Sequence, residues 1–373
     1  MSEIHFLWHD RGPLRKFRTA VSLHSHTLHS RESFDFLVRL RGGFPPIDWI
    51  MRREEKLRTA GRADYSRAWW RPPLPAHAAW EHERAQMENG LGLHALISLT
   101  DHDNIEAAAL LHVLEECKRA PVSVEWTLPV ENSILHLGVH NLPPSSTPAF
   151  MRRMKAFTER QSEESLRGFL DELSGFPDVL VVLNHPFLDD RCIGLAAHCS
   201  LIERFLERHR GSVHALELNG WRPWWQNRAV IELSRATGLP MVGGSDRHAC
   251  EPATLLNLTG AATFEEFVEE VRRGRTSHVL FLPPYREPRK LRIIEALGQI
   301  LGHYPDHSLG WSEWSDRIFY RDAAGATVSL TQAWGERQPA ALKRLVGLVR
   351  LLGGRQIRPA LRFALAEKEE VLQ

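Results

Sequence analysis

No run of apolar residues in this chain approaches the roughly 20 that a membrane-spanning helix needs, which argues against a conventional span. The opening residues Met1-Ser2-Glu3-Ile4-His5 show no basic stretch leading into an apolar core, so no secretory leader is expected and a cytoplasmic setting is. Cysteine is scarce. Cys117, Cys192, Cys199 and Cys250 are the four in 373 residues, and none forms a CxxC pair. That spacing argues against a cysteine-held zinc module and a dithiol redox motif, and predicts reduced thiols. Charge of one sign is lacking too: 47 Lys and Arg against 46 Asp and Glu leave a formal net charge of +1. Such a balance supplies no general field for a polyanion or an anionic lipid surface, so neither a membrane nor a stable nucleic-acid partner is expected.

What the chain does have is alternation. Short apolar runs at Thr19–Leu23, Ala95–Leu99, Trp126–Val130, Ile134–Val139, Val179–Leu183, Val213–Leu218, Pro240–Gly243 and His278–Leu282 read as strands. Between them, Ala78–Asn89, Ile105–Lys118, Pro148–Leu173, Leu201–Arg208, Asn227–Thr237 and Phe264–Arg273 read as amphipathic helices. Asn89-Gly90 and Thr237-Gly238 have the chemistry of helix ends. The pattern predicts an α/β protein of β/α units with a parallel sheet. Two stretches break it. Residues 32–77, with Arg52-Arg53 and Trp69-Trp70-Arg71-Pro72-Pro73, form an insertion too long for a plain connection. Residues 286–373 follow Pro283-Pro284 and read as a mostly helical extension to a domain spanning 1–285.

The chemistry lies at the strand ends. His24-Ser25-His26 follows the first strand, Thr100-Asp101-His102-Asp103 the second, and Glu131 the third; the next strand carries His136 and His140. Asn184-His185-Pro186 and Ser245-Asp246-Arg247-His248 follow later strands, and Glu217 ends another. Parallel strands in a barrel aim their C-terminal ends at one mouth, so residues remote in sequence converge there. Imidazoles and carboxylates without thiolates suit Zn, Mn or Fe in a reactive setting. Alternate residues of a strand share a face, so both histidines of His24-Ser25-His26 can reach one ion. A donor set richer than one ion needs implies a cluster with a bridging carboxylate.

In order and content, His24-Ser-His26-Thr, Leu99-Thr-Asp101-His102-Asp103, Asn184-His185-Pro186 and Gly244-Ser-Asp246-Arg-His248 resemble the four motifs of the PHP (polymerase and histidinol phosphatase) superfamily. They cover about 60% of the chain, residues 20 to 248. The resemblance implies a distorted (β/α)7 TIM-like barrel holding two or three divalent metal ions that hydrolyse phosphate esters. Members include histidinol phosphatases, nucleases acting on short nucleotides, and domains attached to bacterial DNA polymerases. Carried over residue by residue, it implies that His24, His26, Glu131 and Asp246 surround one ion. Glu131 would bridge to a second ion held by His136 and His185, with His102 and His248 serving a third. The family usually places a further His or Asp five or six residues beyond the HxH; here Arg31 and Glu32 stand there. Either Glu32 or His29 then substitutes as the ligand, or the third site is weak or empty, and Arg31 would be a phosphate-binding cation. Asp101 orients a ligand, and with Arg31 and Arg247 makes up the non-ligating catalytic candidates. The expected substrate is a small phosphomonoester or a short nucleotide. Hydrolysis of an amide or lactone is the alternative chemistry, and a non-catalytic metal-binding module the third possibility. Residues 32–77, together with 219–227, are expected to form a lid that favours small phosphorylated substrates, with Arg31, Arg71 or Arg222 contacting phosphate.

Overall fold

The computed structural model describes residues 2–34, 68–322, 325–335, 340–354 and 356–365. Most of the insertion, and with it most of the expected lid, lies outside the described residues.

The strands are β1 (Ser2–Phe6), β2 (Thr19–Ser22), β3 (Glu32–Ser33), β4 (Trp69–Trp70), β5 (His94–Ile97), β6 (Val124–Val130), β7 (Ser133–His140), β8 (Leu180–Asn184), β9 (Ala215–Asn219), β10 (Met241–Gly244), β11 (Leu255–Thr259), β12 (Ser277–Phe281), β13 (Ile318–Arg321) and β14 (Thr327–Ser329). The helices are α1 (Ala76–Leu91), α2 (Glu106–Leu111), α3 (Thr147–Glu159), α4 (Glu163–Gly175), α5 (Leu195–His209), α6 (Trp224–Thr237), α7 (Phe264–Arg272), α8 (Arg289–Ile300), α9 (Leu330–Trp334), α10 (Ala340–Leu352) and α11 (Arg358–Ala364). Among the described residues none is long and apolar enough to cross a membrane.

Two five-stranded sheets carry the site, one ordered β1-β12-β11-β2-β5 and the other β10-β9-β8-β7-β6. They meet through isolated parallel bridges, Ser25 with Arg247 and His102 with Glu125, rather than through a continuous ladder. The expected closed (β/α)7 barrel is therefore not found among the described residues; the fold is mixed α/β. Nor are the sheets purely parallel. β6 and β7 form an antiparallel hairpin, β7 is antiparallel to β8, and β11 runs against both β2 and β12. Only Glu131 and Asn132 separate Val130 from Ser133, so no crossover helix fits there and the chain must double back.

Side-chain burial follows this layout. Trp126, Phe150, Phe169, Leu170 and Phe205 fill the layer between the second sheet and its helices. Between the sheets lie Val21, Leu23, Leu180, Val182, Ala215 and Val242, packed against Phe264, Phe267, Val268 and Val271 of α7. Each Val, Leu or Phe side chain among them, fully buried, contributes roughly 1.5–3 kcal/mol. Helix α7 starts on Thr263, whose hydroxyl accepts from the Glu266 N–H, and it follows the end of β11 that pairs Thr259 with Thr19. It thus plugs the end where β2 begins and leaves the opposite end, where His24 follows β2, for the site.

The predicted helix over Pro148–Leu173 is two helices. Ser162 caps α4 by accepting from the Ser165 N–H, and the chain turns there. Helix α1 continues through Gly90 and ends at Gly92, whose φ of +72° suits a left-handed cap. The extension is not helical throughout: β13 and β14 join β4 and β3 in a small sheet ordered β14-β13-β4-β3.

Candidate metal centre

The strand ends bring six of the expected ligands into one buried group, and Glu32, opening β3, makes a seventh. His24, His26, Glu32, His185 and Asp246 are buried, and His102 and His248 partly so. His136, from within β7, joins them, its Nδ1 3.4 Å from His185 Nε2.

The carboxylate at the centre is not Glu131. That residue follows β6 at an exposed turn and is held by the Arg204 guanidinium, its Oε2 2.6 Å from Nη2. Glu125 occupies the middle instead, 1% exposed, from the second position of β6. The register gives the reason. The hairpin of β6 with β7 runs past the site: Thr127 pairs with His136, while Val130 pairs with Ser133 beyond it. The level of the site therefore crosses β6 near its start, and Glu131 overshoots. Sequence carried one usable signal: Glu125 is a lone charge in the strand Val124–Val130, and a charge in such a strand is costly unless paired.

The two oxygens of Glu125 face different partners. Oε2 lies 3.1 Å from His24 Nε2, 3.4 Å from His26 Nε2 and 3.4 Å from His102 Nε2. Oε1 lies 3.1 Å from His185 Nε2 and 3.5 Å from His136 Nδ1, and accepts from Asn184 Nδ2 at 3.0 Å. Asp246 closes the first group, its Oδ1 3.5 Å from His24 Nε2 and 3.4 Å from His26 Nε2. Glu32 anchors a third group, with Oε2 3.4 Å from His248 Nε2 and 3.6 Å from His102 Nε2. Asp190, which sequence reasoning missed, places Oδ2 3.5 Å from His136 Nε2.

Supporting contacts fix these side chains. Glu217 Oε1 accepts from His24 Nδ1 at 2.6 Å, and its Oε2 accepts from the His185 N–H at 2.8 Å. A donating Nδ1 leaves His24 Nε2 as the lone-pair nitrogen aimed at the cluster. His248 Nδ1 donates to the Asp246 carbonyl at 3.0 Å, with the same effect on its Nε2. Asp101 accepts from the backbone and hydroxyl of Thr27, tying down the loop after His26. Any side chain at Gly244 would run into Glu217 and the Cβ of His24, so only glycine lets β10 approach this closely. His185 and Asp246 both have positive φ, +27° and +57°, a strained backbone that aims their side chains inward.

Charge balance agrees with the geometry. Burial alone would raise Glu125, but His24 and His102 hold its carboxyl well below the usual range; Asp246 behaves likewise beside His24. Burial would lower His136 and His248, yet Glu125 lifts the first and Glu32 the second, each to about 9. Asp101 is pushed up to about 6 by burial, against its bonds from Thr27.

The remaining expectations are placed as follows. Arg31 is exposed, its guanidinium 5.5 Å from the centre of the Trp69 ring. Arg247 is not brought to the cluster: it is buried, donates to the Glu251 carbonyl and pairs with Glu83 of α1. Its side chain clamps the loop that carries Asp246 and His248 onto a helix, a contact invisible in a motif. His140 is buried against Ser98, and burial pushes it down to about 3. Trp70 and Trp221 flank His248, each ring centre 5.5 Å from its own.

No family model and no curated protein matches this chain. Solved structures similar to it include an amidohydrolase from Chromobacterium violaceum with bound sulfate and no metal, 15% identical over 48% of this chain and 84% of that one, with a TM-score of 0.35. A metal-dependent phosphoesterase by name, from Bifidobacterium adolescentis, is 14% identical over 51% of this chain and 89% of its own, with a TM-score of 0.31. PsfC from Pseudomonas syringae is 15% identical over 56% of this chain and 84% of its own, with a TM-score of 0.35. Likenesses this slight leave the functional reading to the chemistry of the site.

Proposed function

We propose that the chain is a metal-dependent hydrolase acting on a phosphate ester, either a small phosphomonoester or a short nucleotide. The observation that carries the reading is the division of the Glu125 carboxylate: one oxygen turned to His24, His26 and His102, the other to His136 and His185. Donor triplets such as His24, His26 and Glu125, or His24, His185 and Asp246, gather their ligand atoms within 4.8 Å of one another. This is a fitting donor set for Zn, Mn or Fe, hard enough for oxygen ligands and rich in imidazole. His24, His26 and Asp246 would hold one ion, His136 and His185 a second, and His102, His248 and Glu32 a third, with Glu125 shared. When bound, such ions activate water and neutralise charge on a phosphoryl oxygen.

The chain's own residues supply the rest. Arg31 precedes β3 and Arg71 follows β4, close enough that Arg31's charge adds to burial in lowering Arg71, against Glu106 and Asp101. A pair of neighbouring guanidiniums suits a phosphate better than a neutral amide or lactone, which supports the phosphoester reading. The part-exposed Trp221 ring beside His248 offers an aromatic edge to a sugar or base, while Trp70 backs His248 from the buried side. The test is a panel of phosphomonoesters and short nucleotides, run with Mn or Zn beside a panel of amides and lactones. Phosphate release is expected; turnover confined to the second panel would reject the phosphoesterase reading.

A further inference from the structure

The parallel pair β1 and β12 holds a second group of metal-ligand type. Glu3 and His5 are two apart on β1 and so share a face. The register sets Glu3 opposite His278 of β12. Their donor atoms form a compact triangle: His5 Nε2 to His278 Nδ1 is 3.3 Å, His278 Nδ1 to Glu3 Oε2 is 3.4 Å, and His5 Nε2 to Glu3 Oε2 is 3.8 Å. Four donors placed tetrahedrally about 2.05 Å from a zinc ion lie roughly 3.3 Å from one another. The triangle thus approximates one face of such a tetrahedron.

The group is remote from the candidate metal centre. His278 pairs with Leu258 of β11, and Leu258 with Ala20 of β2, near the start of β2. The centre lies past the other end of β2, at His24. Phe17 walls one side, its ring 4.6 Å from that of His278, while Glu3 is 64% exposed and leaves the fourth direction to solvent.

We propose that Glu3, His5 and His278 bind a divalent ion of the zinc class, clipping β1 to β12 at the end of the molecule opposite the centre. Two imidazoles and one carboxylate select a borderline ion such as zinc over magnesium, which prefers an all-oxygen octahedron. In the absence of an ion, one imidazole nitrogen must donate to the other; with an ion, both turn lone pairs to it.

The test compares the whole chain with the His5→Gln/His278→Gln double variant and with Glu3→Gln, each loaded with zinc and passed through gel filtration free of zinc. Elemental analysis is expected to find one zinc fewer per chain in the double variant, with phosphoesterase turnover unchanged. Zinc should also raise the melting temperature of the wild type more than that of the double variant. Glu3→Gln changes an exposed side chain, so it keeps the fold and should weaken retention of that one ion. Equal zinc content in wild type and variants, or retention of the extra ion only while free zinc is present, would overturn the proposal.

Discussion

Replacing Glu125 with glutamine removes one charge and almost no volume, which makes it the sharpest probe of the proposed centre. The carboxylate is 1% exposed and is the common neighbour of His24, His26, His102, His136 and His185. Breaking a buried ion pair by removing one partner costs about 3–5 kcal/mol, because the remaining charge keeps no compensation. The unliganded Glu125→Gln protein should therefore unfold at clearly lower denaturant than wild type. Loss of a residue that merely orients a metal ligand costs about 10–100-fold in affinity, and loss of a shared ligand should reach at least the top of that range. Glu131→Gln is the matched control. Its carboxylate sits at the surface beside Arg204, in an exposed pair that contributes little. The assay is metal content per chain, denaturant midpoint and phosphate release, measured on both variants. Glu125→Gln should lose metal and turnover together while Glu131→Gln keeps both. Full metal content in Glu125→Gln, or an equal loss in Glu131→Gln, would refute the assignment of the bridging role.

Three further outcomes follow from particular contacts. Glu217→Gln keeps the size of the side chain but weakens the grip on His24 Nδ1; titration calorimetry should show metal binding about 10–100-fold weaker, and unchanged affinity would remove Glu217 from the supporting role. Stripping the ions with a chelator should lower the melting temperature, and restoring them at about 100 times their dissociation constant should return about 2.7 kcal/mol per independent site; a melting curve indifferent to chelator would mean that the cluster binds nothing. His214 accepts from the Val181 N–H through Nδ1, and burial, helped by Arg272, pushes it down to about 3, so between pH 6.5 and about 3 the unfolded chain binds a proton that the folded chain refuses. Stability should thus fall as pH drops through that window, and His214→Asn should lose less than wild type between pH 7 and 5 in urea denaturation; parallel losses would show that His214 does not titrate this way.

The sequence exposes those parts of the centre that depend on strand ends. His24, His26, His102, His185, Asp246 and His248 each follow an apolar run whose end is easy to place, and the structure brings all six together. What fails is the step from a strand's end to the level of the site. For β2, β8 and β10 the two coincide, but β6 overshoots, so an expectation keyed to its last residue lands on Glu131 rather than Glu125. Strand direction is equally hidden. A buried antiparallel strand such as β7 or β11 has the same apolar composition as a parallel one, and only the length of the connection separates them. The strands β1 and β11 carry no clear sequence signal, because Ser2–Phe6 mixes polar with apolar residues and Leu255–Thr259 follows the ligand loop too closely to suggest a new element.

Tertiary pairing also decides the fate of Glu32, the departure from the family pattern. A glutamate six residues beyond an HxH has no local reason to turn inward. It does so because Glu32 pairs with Trp70 in the small sheet, and Trp70 pairs in turn with Ile318 of the extension. Ser30 assists by donating to Glu32 Oε1 at 2.5 Å. The third group of ligands thus rests on two segments that fell outside the β/α alternation, residues 32–77 and 286–373. Cutting the chain near residue 285 would leave β4 without β13, expose the Trp70 ring that packs on His248, and free Glu32 to swing out to water. Glu125, the histidines that follow β2 and β8, and His136 on β7 have no such dependence. In the proposed centre, the position held by Glu32 and His248 is therefore the one whose occupancy should track the extension, while those held by His24, His26, His136 and His185 rest on the two sheets alone.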